Sequence, residues 1–208
     1  MMQIKELFYT LQGEGAHAGR AAVFCRFAGC NLWSGRERDR SSAVCRFCDT
    51  DFVGTNGTGG GSYTPQTLAA AAWELWPTGS SRRLIVFTGG EPLLQLDAET
   101  LSALHGEAFT TAVETNGTIA PPPGIDWLCV SPKAGTTLVA TAGQELKLVF
   151  PQIGAHPSGY EHLDFDRFSL QPMDGPRLTH NTGLAVNFCL EHPQWVLSQQ
   201  THKGLGLR

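Results

Sequence analysis

The stretch "RLIVFTGGEP" (residues 83–92) sets the expected fold of the chain. Residues 84–88 are all apolar or β-branched, as in a buried strand, and they lead into a turn with two glycines and a proline. Similar runs predict further strands at 21–27, 110–114, 127–131, 145–150, 167–171 and 195–199. Helical patterns at 65–76, 97–108 and 179–192 are interspersed with them, which predicts βαβ units on a parallel sheet.

Polar clusters follow the predicted strands, and most of them contain Gly or Pro: "GGEP", "TNG", "PK", "PMD" and "QTHK". The carboxyl ends of parallel strands meet at one rim, so these clusters predict a shared active site. Only two of the crossovers contain a clear helix. We therefore expect an α/β fold, an incomplete TIM-like barrel reduced in helices, as one domain spanning residues 1–208.

Composition narrows the classes of function. The chain has 208 residues and a formal net charge of -4, so it lacks the excess of positive charge that direct binding to nucleic acid needs. No segment has the length and apolarity of a membrane span, and the first residues lack the pattern of a secretory signal. The expected location is the cytoplasm, where six cysteines indicate metal ligands or buried small side chains rather than disulfides.

Three cysteines lie close together in "CNLWSGRERDRSSAVCRFC", with fourteen residues between Cys30 and Cys45 and two between Cys45 and Cys48. A C-x2-C pair suits zinc, iron-sulfur clusters and redox dithiols alike. A zinc site would need a fourth ligand such as Cys25 or His17, whereas a cluster held by three thiolates leaves one iron free for another ligand. The spacing leaves these alternatives open. Apolar surroundings predict packing roles for Cys25, Cys129 and Cys189.

Further segments resemble the radical S-adenosylmethionine (SAM) superfamily. Phe47 precedes Cys48 as an aromatic residue precedes the last cysteine of that superfamily's C-x3-C-x2-C motif. "TGGEP" (88–92) resembles its SAM-binding strand end, and "ETNG" (114–117) and "SPK" (131–133) resemble elements that contact SAM's ribose and carboxylate. Each alone also fits an ordinary turn, with Glu91 capping a helix start. Their joint placement at successive strand ends favours the radical SAM interpretation.

Taken over the whole chain, the motifs and their order resemble those of a single family. "FYTLQGEG", "VFCRFAGCNLW", "CRFCDTDF", "TGGEP", "VETNG", "VSPK", "LQPMDGP" and "QTHK" occur in the order found in 7-carboxy-7-deazaguanine synthases, which the chain resembles nearly end to end. That family serves the queuosine and 7-deazapurine pathway. Some of its members carry a long insertion after the first cluster cysteine, so the gap of fourteen is expected to be a family variant that forms an excursion of the cluster loop.

The resemblance implies three cofactors and their ligands. Cys30, Cys45 and Cys48 would ligate a 4Fe-4S cluster whose free iron is chelated by SAM, and Thr50 would supply an oxygen to Mg²⁺, which takes few protein ligands. The implied SAM-binding residues are Phe47, Cys48, Asp49, Gly89, Gly90, Glu91, Glu114, Asn116, Ser131, Pro132, Lys133, Gln171, Pro172, Met173 and Asp174.

The implied substrate is 6-carboxy-5,6,7,8-tetrahydropterin. Glu14 would accept hydrogen bonds from the ring's amino and N–H groups, and Arg26 would clamp its carboxylate with a planar guanidinium. The family's tail closes over the pterin with a His and the terminal carboxylate, at positions that match His202 and Arg208. The full set of implied substrate residues is Leu11, Gln12, Gly13, Glu14, Arg26, Thr88, His202 and Arg208.

The implied activity is that of a lyase. A 5'-deoxyadenosyl radical formed from SAM would take hydrogen from C6 of the pterin, and a magnesium-assisted ring contraction with loss of ammonia would give 7-carboxy-7-deazaguanine. A flavodoxin- or ferredoxin-type protein would supply the electron, and the family forms homodimers.

Two competing interpretations remain at this point. A glycyl-radical-enzyme activase shares the cluster, "GGEP" and a small incomplete barrel, but should need no magnesium and should display a surface for a protein partner. A zinc-stabilised binding module would explain the cysteines but not the motifs at the strand ends.

Overall fold

The structure is a computed structural model, and it describes residues 1–207. These residues contain a nine-stranded sheet of β1 (Met2–Leu11), β2 (Ala21–Phe27), β3 (Gly61–Tyr63), β4 (Arg83–Gly89), β5 (Phe109–Thr115), β6 (Trp127–Val130), β7 (Ala142–Phe150), β8 (Asp164–Pro172) and β9 (Trp195–Leu197). The helices are α1 (Pro65–Leu75), α2 (Ala98–Gly106), α3 (Leu178–Glu191) and α4 (Thr201–Gly204).

The sheet is open, with the strand order β3-β1-β2-β4-β5-β6-β7-β8-β9. β1 is antiparallel to both β2 and β3, whereas every neighbouring pair from β2 to β9 is parallel. Within residues 1–207, long helices occur only between β3 and β4, β4 and β5, and β8 and β9. The expected α/β fold, an incomplete barrel with few helices, is confirmed.

The helix starts follow from local chemistry. Thr64 caps α1 by accepting from the Thr67 N–H at 3.2 Å, and Pro65 occupies the first helical position, as predicted from the sequence. Asp97 caps α2 by accepting from the N–H of Thr100 at 2.8 Å. Both helices pack on the outer face of the sheet, where Leu68, Leu101 and the other buried apolar residues form the main core.

Alternation along the strands divides the sheet into two faces. On β4, Ile85 and Phe87 belong to the main core, whereas Leu84 and Val86 belong to a small cluster on the opposite, inner face. The next inner position on β4 is Thr88, so the inner face changes from apolar to polar towards the carboxyl ends of the strands. This change places polar side chains where the predicted active-site rim should lie.

The sequence did not predict β1, β3 or α4. β1 carries an irregular register between Ile4 and Glu6, and this break hides its alternation of apolar and polar residues. The glycine-rich tract 54–62, expected to be flexible, instead lies along β1: the Leu7 N–H donates to the Thr58 carbonyl at 2.8 Å, and the Gly57 N–H donates to the Lys5 carbonyl at 3.1 Å. Within residues 1–207, no helix is both long and apolar enough to span a bilayer.

Candidate active site

A cavity of about 510 Å³ lies at the carboxyl ends of the parallel strands. Its walls come from the inner face of β2, β4, β5, β7 and β8, from the cysteine-containing loop, from the turn after β1 and from α4. A volume of this size is typical of a site for small molecules and cofactors. The predicted rim is therefore a real concave surface.

The structure brings nearly all predicted site residues to this cavity. Those that line it are Leu11, Gln12, Gly13, Glu14, Arg26, Cys30, Cys45, Phe47, Cys48, Asp49, Thr50, Thr88, Gly89, Gly90, Glu114, Asn116, Ser131, Lys133, Gln171, Pro172, Met173, Asp174 and His202. Glu91 and Pro132 are buried outside it. Arg208 lies outside the described residues.

The fourteen residues between Cys30 and Cys45 form a loop closed at its base. The N–H groups of Val44 and Cys45 both donate to the Leu32 carbonyl, at 3.1 and 3.4 Å. This contact returns the chain to its starting point, and the excursion contains a 3-10 helix at Glu37–Ser42. The long gap therefore does not separate the first cysteine from the other two.

The three thiols differ in acidity. A hydrogen bond from the Cys45 thiol lowers the pKa of Cys48 to about 6 although burial opposes the shift, whereas the same hydrogen bond and burial raise the pKa of Cys45, and burial raises that of Cys30. Cys48 is therefore the thiol of the three that is deprotonated most readily. Within residues 1–207, no three His, Cys, Asp or Glu side chains could hold one metal ion together. A 4Fe-4S cluster needs no such convergence because each thiolate binds a different iron.

Two glycines of the "GGEP" turn allow the β4 end to touch the start of the cluster loop. A Cβ on Gly90 would lie 1.8 Å from the Gly29 carbonyl oxygen, and one on Gly89 would lie 2.5 Å from the backbone of Phe27. The Glu91 N–H donates to that same Gly29 carbonyl at 2.9 Å. Only glycine fits at position 90 without displacing the backbone next to Cys30.

The Glu91 side chain is buried behind the cavity wall and does not line the cavity. Its carboxylate accepts from the Leu93 N–H at 3.0 Å, the Thr115 hydroxyl at 2.7 Å and the Asn116 N–H at 2.8 Å. Burial raises its pKa, although these hydrogen bonds oppose the shift. The Glu91 side chain is therefore a buried cap that joins the ends of β4 and β5, and the contact of this residue with the cofactor stays a prediction that concerns its main chain.

Asn116 carries this connection on to the cluster loop. Its amide donates to Asn31 Oδ1 at 2.9 Å, and the Asn31 amide donates to the Thr118 hydroxyl at 2.8 Å. Residue 31 directly follows Cys30, so the turn after β5 fixes the direction in which the cluster loop leaves the sheet.

The "SPK" segment contributes one buried and two accessible residues. Lys133 Nζ donates to the Ser131 carbonyl at 2.6 Å and to its hydroxyl at 2.8 Å, and lies 5.9 Å from the ring centroid of Phe47. Burial lowers the pKa of Lys133, and the neighbouring Cys45 and Cys48 oppose the shift. The Pro132 carbonyl accepts from Gln152, and the expected cofactor contact of Pro132 stays a prediction.

Arg26 is positioned to bind an anion. Its Nε donates to Glu6 Oε2 at 3.3 Å, and Thr88 lies beside it in the parallel register of β2 and β4. Among residues 1–207, the Nη atoms of Arg26 have no hydrogen-bond partner. An arginine held by one edge at a cavity wall offers the opposite edge to a carboxylate.

Lys147 is the main functional candidate that sequence analysis missed. Its side chain is only 4% exposed, and Nζ contacts Glu14 Oε2 at 2.5 Å and Glu114 Oε2 at 3.1 Å. Burial lowers its pKa, but the two carboxylates outweigh burial and raise it well above its usual value. The signal was present in the sequence, because a lysine inside the apolar strand "ELKLVF" has to face a partner.

The carboxylate of Glu14 is kept ionised by the same contacts. Burial would raise its pKa, but the ammonium of Lys147 and hydrogen bonds from Lys147 and Gln200 lower it from 4.5 to about 2. Gln12 donates to Glu114 Oε1 at 2.8 Å and so joins this network. The cavity therefore presents a fixed acceptor on this side.

The tail covers the other side of the cavity. Both the N–H and the hydroxyl of Thr201 donate to the Gly13 carbonyl, at 2.9 and 3.1 Å, and the ring of His202 lies so close that a Cβ on Gly13 would overlap it. Lys203 Nζ contacts Asp49 Oδ2 and Asp174 Oδ2, both at 2.5 Å. α4 is thereby joined to the turn after β1, the cluster loop and the end of β8.

Known proteins are similar to this chain over nearly its whole length, although no family model matches the chain. The chain is 62% identical over 206 residues to a 7-carboxy-7-deazaguanine synthase from Bradyrhizobium diazoefficiens, covering 99% of this chain and 98% of the relative. It is 64% identical over 205 residues to a protein of the same description from Caulobacter vibrioides, covering 98% of both. The crystal structure of QueE from Escherichia coli superimposes with a TM-score of 0.72 at 26% identity, covering 95% of this chain and 93% of that one.

Proposed function

Because this chain belongs to the 7-carboxy-7-deazaguanine synthase family, we propose that the cavity at its strand ends is the active site. The enzyme is a lyase of the radical SAM type, with a 4Fe-4S cluster, SAM and Mg²⁺ as cofactors. It converts 6-carboxy-5,6,7,8-tetrahydropterin to 7-carboxy-7-deazaguanine with loss of ammonia, a step in queuosine biosynthesis. Membership in this family rules out the activase and the zinc-module interpretations.

Cys30, Cys45 and Cys48 are proposed to hold the cluster, and Thr50 to contribute an oxygen to Mg²⁺. The closed base of the insertion and the common cavity that all three cysteines line support the cysteine assignment. When bound, the cluster and SAM supply the one-electron chemistry that starts the reaction. The residues at the ends of β4, β5, β6 and β8 are proposed to bind SAM. Glu91 and Pro132, whose side chains are buried outside the cavity, are proposed to contact SAM through the main chain.

The turn after β1, Arg26 and the tail are proposed to bind the pterin. Arg26 would hold the substrate carboxylate through its Nη atoms, with Thr88 beside it. Glu14, kept anionic by Lys147, would accept from the donors of the guanine-like edge. His202 would cover the ring, and the contacts of α4 would exclude water from the reacting atoms.

One observation carries the proposal: the three cysteines and the Gln12–Glu14 turn line the same cavity. These two features are widely separated in sequence and serve different ligands. Their convergence is what a reaction between bound SAM and a bound pterin requires, because hydrogen transfer needs the two reacting atoms in contact.

The test is anaerobic incubation of reconstituted protein with SAM, dithionite, Mg²⁺ and the carboxytetrahydropterin. We expect 7-carboxy-7-deazaguanine to form, with about four irons per chain as in a 4Fe-4S cluster. Cys30→Ala should lose most of the iron, whereas Cys189→Ala, on α3 outside the cavity, should retain it. An intact cluster in Cys30→Ala would contradict the ligand assignment, and an intact cluster without product would contradict the substrate assignment.

The proposal extends to the electron donor, the location, the assembly and the domain organisation of the protein. A flavodoxin- or ferredoxin-type protein is proposed as the electron donor, the cytoplasm as the location and a homodimer as the assembly. Residues 1–208 are proposed to form a single radical SAM domain. Light scattering on the purified protein would test the dimer, for which we expect twice the mass of one chain.

A further inference from the structure

Arg40, in the insertion between the first two cysteines, lies on an aromatic platform. Its guanidinium carbon is 4.0 Å from the centroid of the Trp33 ring. Trp33 is buried and packs edge-on against Phe52, with ring centroids 5.5 Å apart. The Arg40 side chain is only 28% exposed, so its position is set by packing as well as by charge.

The polar atoms of Arg40 connect the insertion to the cysteine pair. Nε donates to Glu37 Oε2 at 2.7 Å, and Nη2 donates to the other oxygen of the same carboxylate. Nη1 donates to two main-chain carbonyls, that of Arg46 at 2.9 Å and that of Cys48 at 3.0 Å. One guanidinium therefore joins the 3-10 helix of the insertion to the Cys45–Cys48 segment.

The Cys45–Cys48 segment depends on such contacts because it has no regular secondary structure of its own. Residues 45–52 form neither helix nor strand, so their carbonyls lack the partners that a ladder or a helix would provide. Fixing the Cys48 carbonyl restricts the backbone from which its sulfur projects. A planar guanidinium can hold two carbonyls and one carboxylate at once, whereas an ammonium lacks this fork geometry.

We propose that Arg40 is a positioning residue for the cluster, holding the Cys45–Cys48 segment in its ligating shape and placing a fixed positive charge beside it. The proposal rests on the assignment of Cys30, Cys45 and Cys48 as cluster ligands. The reduced cluster carries one more negative charge than the oxidised cluster, so a nearby cation favours the reduced form. Arg40 thus slows the loss of iron and makes the cluster easier to reduce.

The experiment compares reconstituted wild type with Arg40→Gln, Arg40→Lys and the control Arg38→Gln. Arg38 lies on the same 3-10 helix, and its side chain is 72% exposed. Three quantities are measured without turnover: iron per chain, the rate of iron loss to a chelator, and the midpoint potential from a redox titration followed by electron paramagnetic resonance. Circular dichroism of each apoprotein monitors folding.

Arg40→Gln should lose iron about tenfold faster than wild type, the lower end of the range for partners that orient metal ligands. Its midpoint potential should be more negative. Arg40→Lys should also lose iron faster, because it lacks the fork, but should keep a potential close to that of wild type. Arg38→Gln should match wild type in both quantities.

An Arg40→Gln variant with wild-type iron loss and potential would overturn the proposal while leaving the ligand assignment intact. So would equal shifts in Arg40→Gln and Arg38→Gln, because the effect would then be one of overall charge. If wild type itself holds no cluster, the ligand assignment fails, and the role of Arg40 fails with it. Should Arg40→Gln not fold, the iron-loss rate of Arg40→Lys decides the positioning role.

Discussion

At the residue scale, the cavity holds a charged side chain by one edge, and we propose that its other edge receives the ligand. Arg26 is the clearest case, because Glu6 engages its Nε while Thr88 lies beside it. A side chain that is already immobilised loses little entropy on binding. The identity of the side chain then matters as much as its charge, since only a guanidinium can present a second planar edge.

Arg26→Lys should weaken substrate binding with a smaller effect on SAM cleavage. Loss of the bidentate contact to a carboxylate costs about 1.5–3 kcal/mol, or roughly 10- to 150-fold in KM. Steady-state kinetics with the carboxytetrahydropterin would measure KM, and formation of 5'-deoxyadenosine would measure SAM cleavage separately. Unchanged KM would show that Arg26 does not hold the substrate carboxylate.

At the element scale, the turns at the strand ends act as connectors between loops. The turn after β4 contacts the start of the cluster loop so closely that a side chain at Gly90 has no room. α4 has only four residues, yet its Thr201 donates to the Gly13 carbonyl in the turn after β1, and its Lys203 bridges Asp49 and Asp174. Small elements are therefore ordered by what they contact rather than by their own length.

Gly90→Ala should reduce cluster content because its methyl group would displace the backbone next to Cys30. The matched control is Gly106→Ala at the end of α2, where an added Cβ meets no atom within 4 Å. Iron analysis after anaerobic reconstitution should show a loss in the first variant only. Full iron content in Gly90→Ala would mean that the cluster loop tolerates a shift at this contact.

Lys203→Met should release the tail from the cavity. The ammonium bridges Asp49 and Asp174, and without it the two carboxylates repel each other across the gap that α4 closes. Hydrogen exchange at residues 200–207 should become faster, and KM for the pterin should rise. Lys203→Arg keeps the charge and should restore slow exchange. Equal exchange in Lys203→Met and wild type would show that the other tail contacts suffice.

At the scale of the whole molecule, a buried charge network holds the inner face of the open sheet together. Lys147 on β7 contacts Glu14, beyond the end of β1, and Glu114 on β5. β1 and β7 are separated by four strands in the sheet order, so this contact crosses the cavity instead of following the ladder. The network therefore makes stability depend on pH.

Acid should destabilise wild type through Glu14. Its folded pKa of about 2 lies below its ordinary 4.5, so the stabilisation is complete above pH 4.5 and is lost as pH falls towards 2. Lys147→Met should cost about 3–5 kcal/mol at neutral pH, the usual penalty for removing one partner of a buried pair. Urea denaturation at several pH values would measure both effects.

The variant should also reverse the sign of this pH dependence. Without Lys147, burial raises the pKa of Glu14, so protonation would relieve the buried charge and the variant should gain stability as pH is lowered from 7 to 5. Wild type should show no such gain from Glu14. If the free energy of unfolding of the variant followed the wild-type pH profile, the hydrogen bond from Gln200, and not Lys147, would be the main contact that stabilises the ionised Glu14.

The elements that the sequence predicted are those whose signal is local. The strand at Ala21–Phe27 was predicted with its observed bounds, and α1 begins at the predicted cap because Thr64 and Pro65 act within one turn. β1 was missed because its irregular register breaks the alternation of side chains. Among site residues, the three cysteines were assigned through the family resemblance, because their spacing left several kinds of site open. Lys147 had a signal in its place within an apolar strand, but its two carboxylate partners became known only from the structure.

By itself, the sequence determined the α/β order, the motifs at the strand ends and the family, because these depend on neighbouring residues and their order. Only the tertiary structure decided that Glu91 accepts from the Asn116 N–H and so joins the ends of β4 and β5, that Glu14 meets Lys147 across 133 positions of the chain, and that Arg40 holds the carbonyl of Cys48. These contacts join segments whose proximity is set by how the strands assemble and how the loops fold back. No local pattern encodes them, since their energy appears only when the partners are brought together and removed from water.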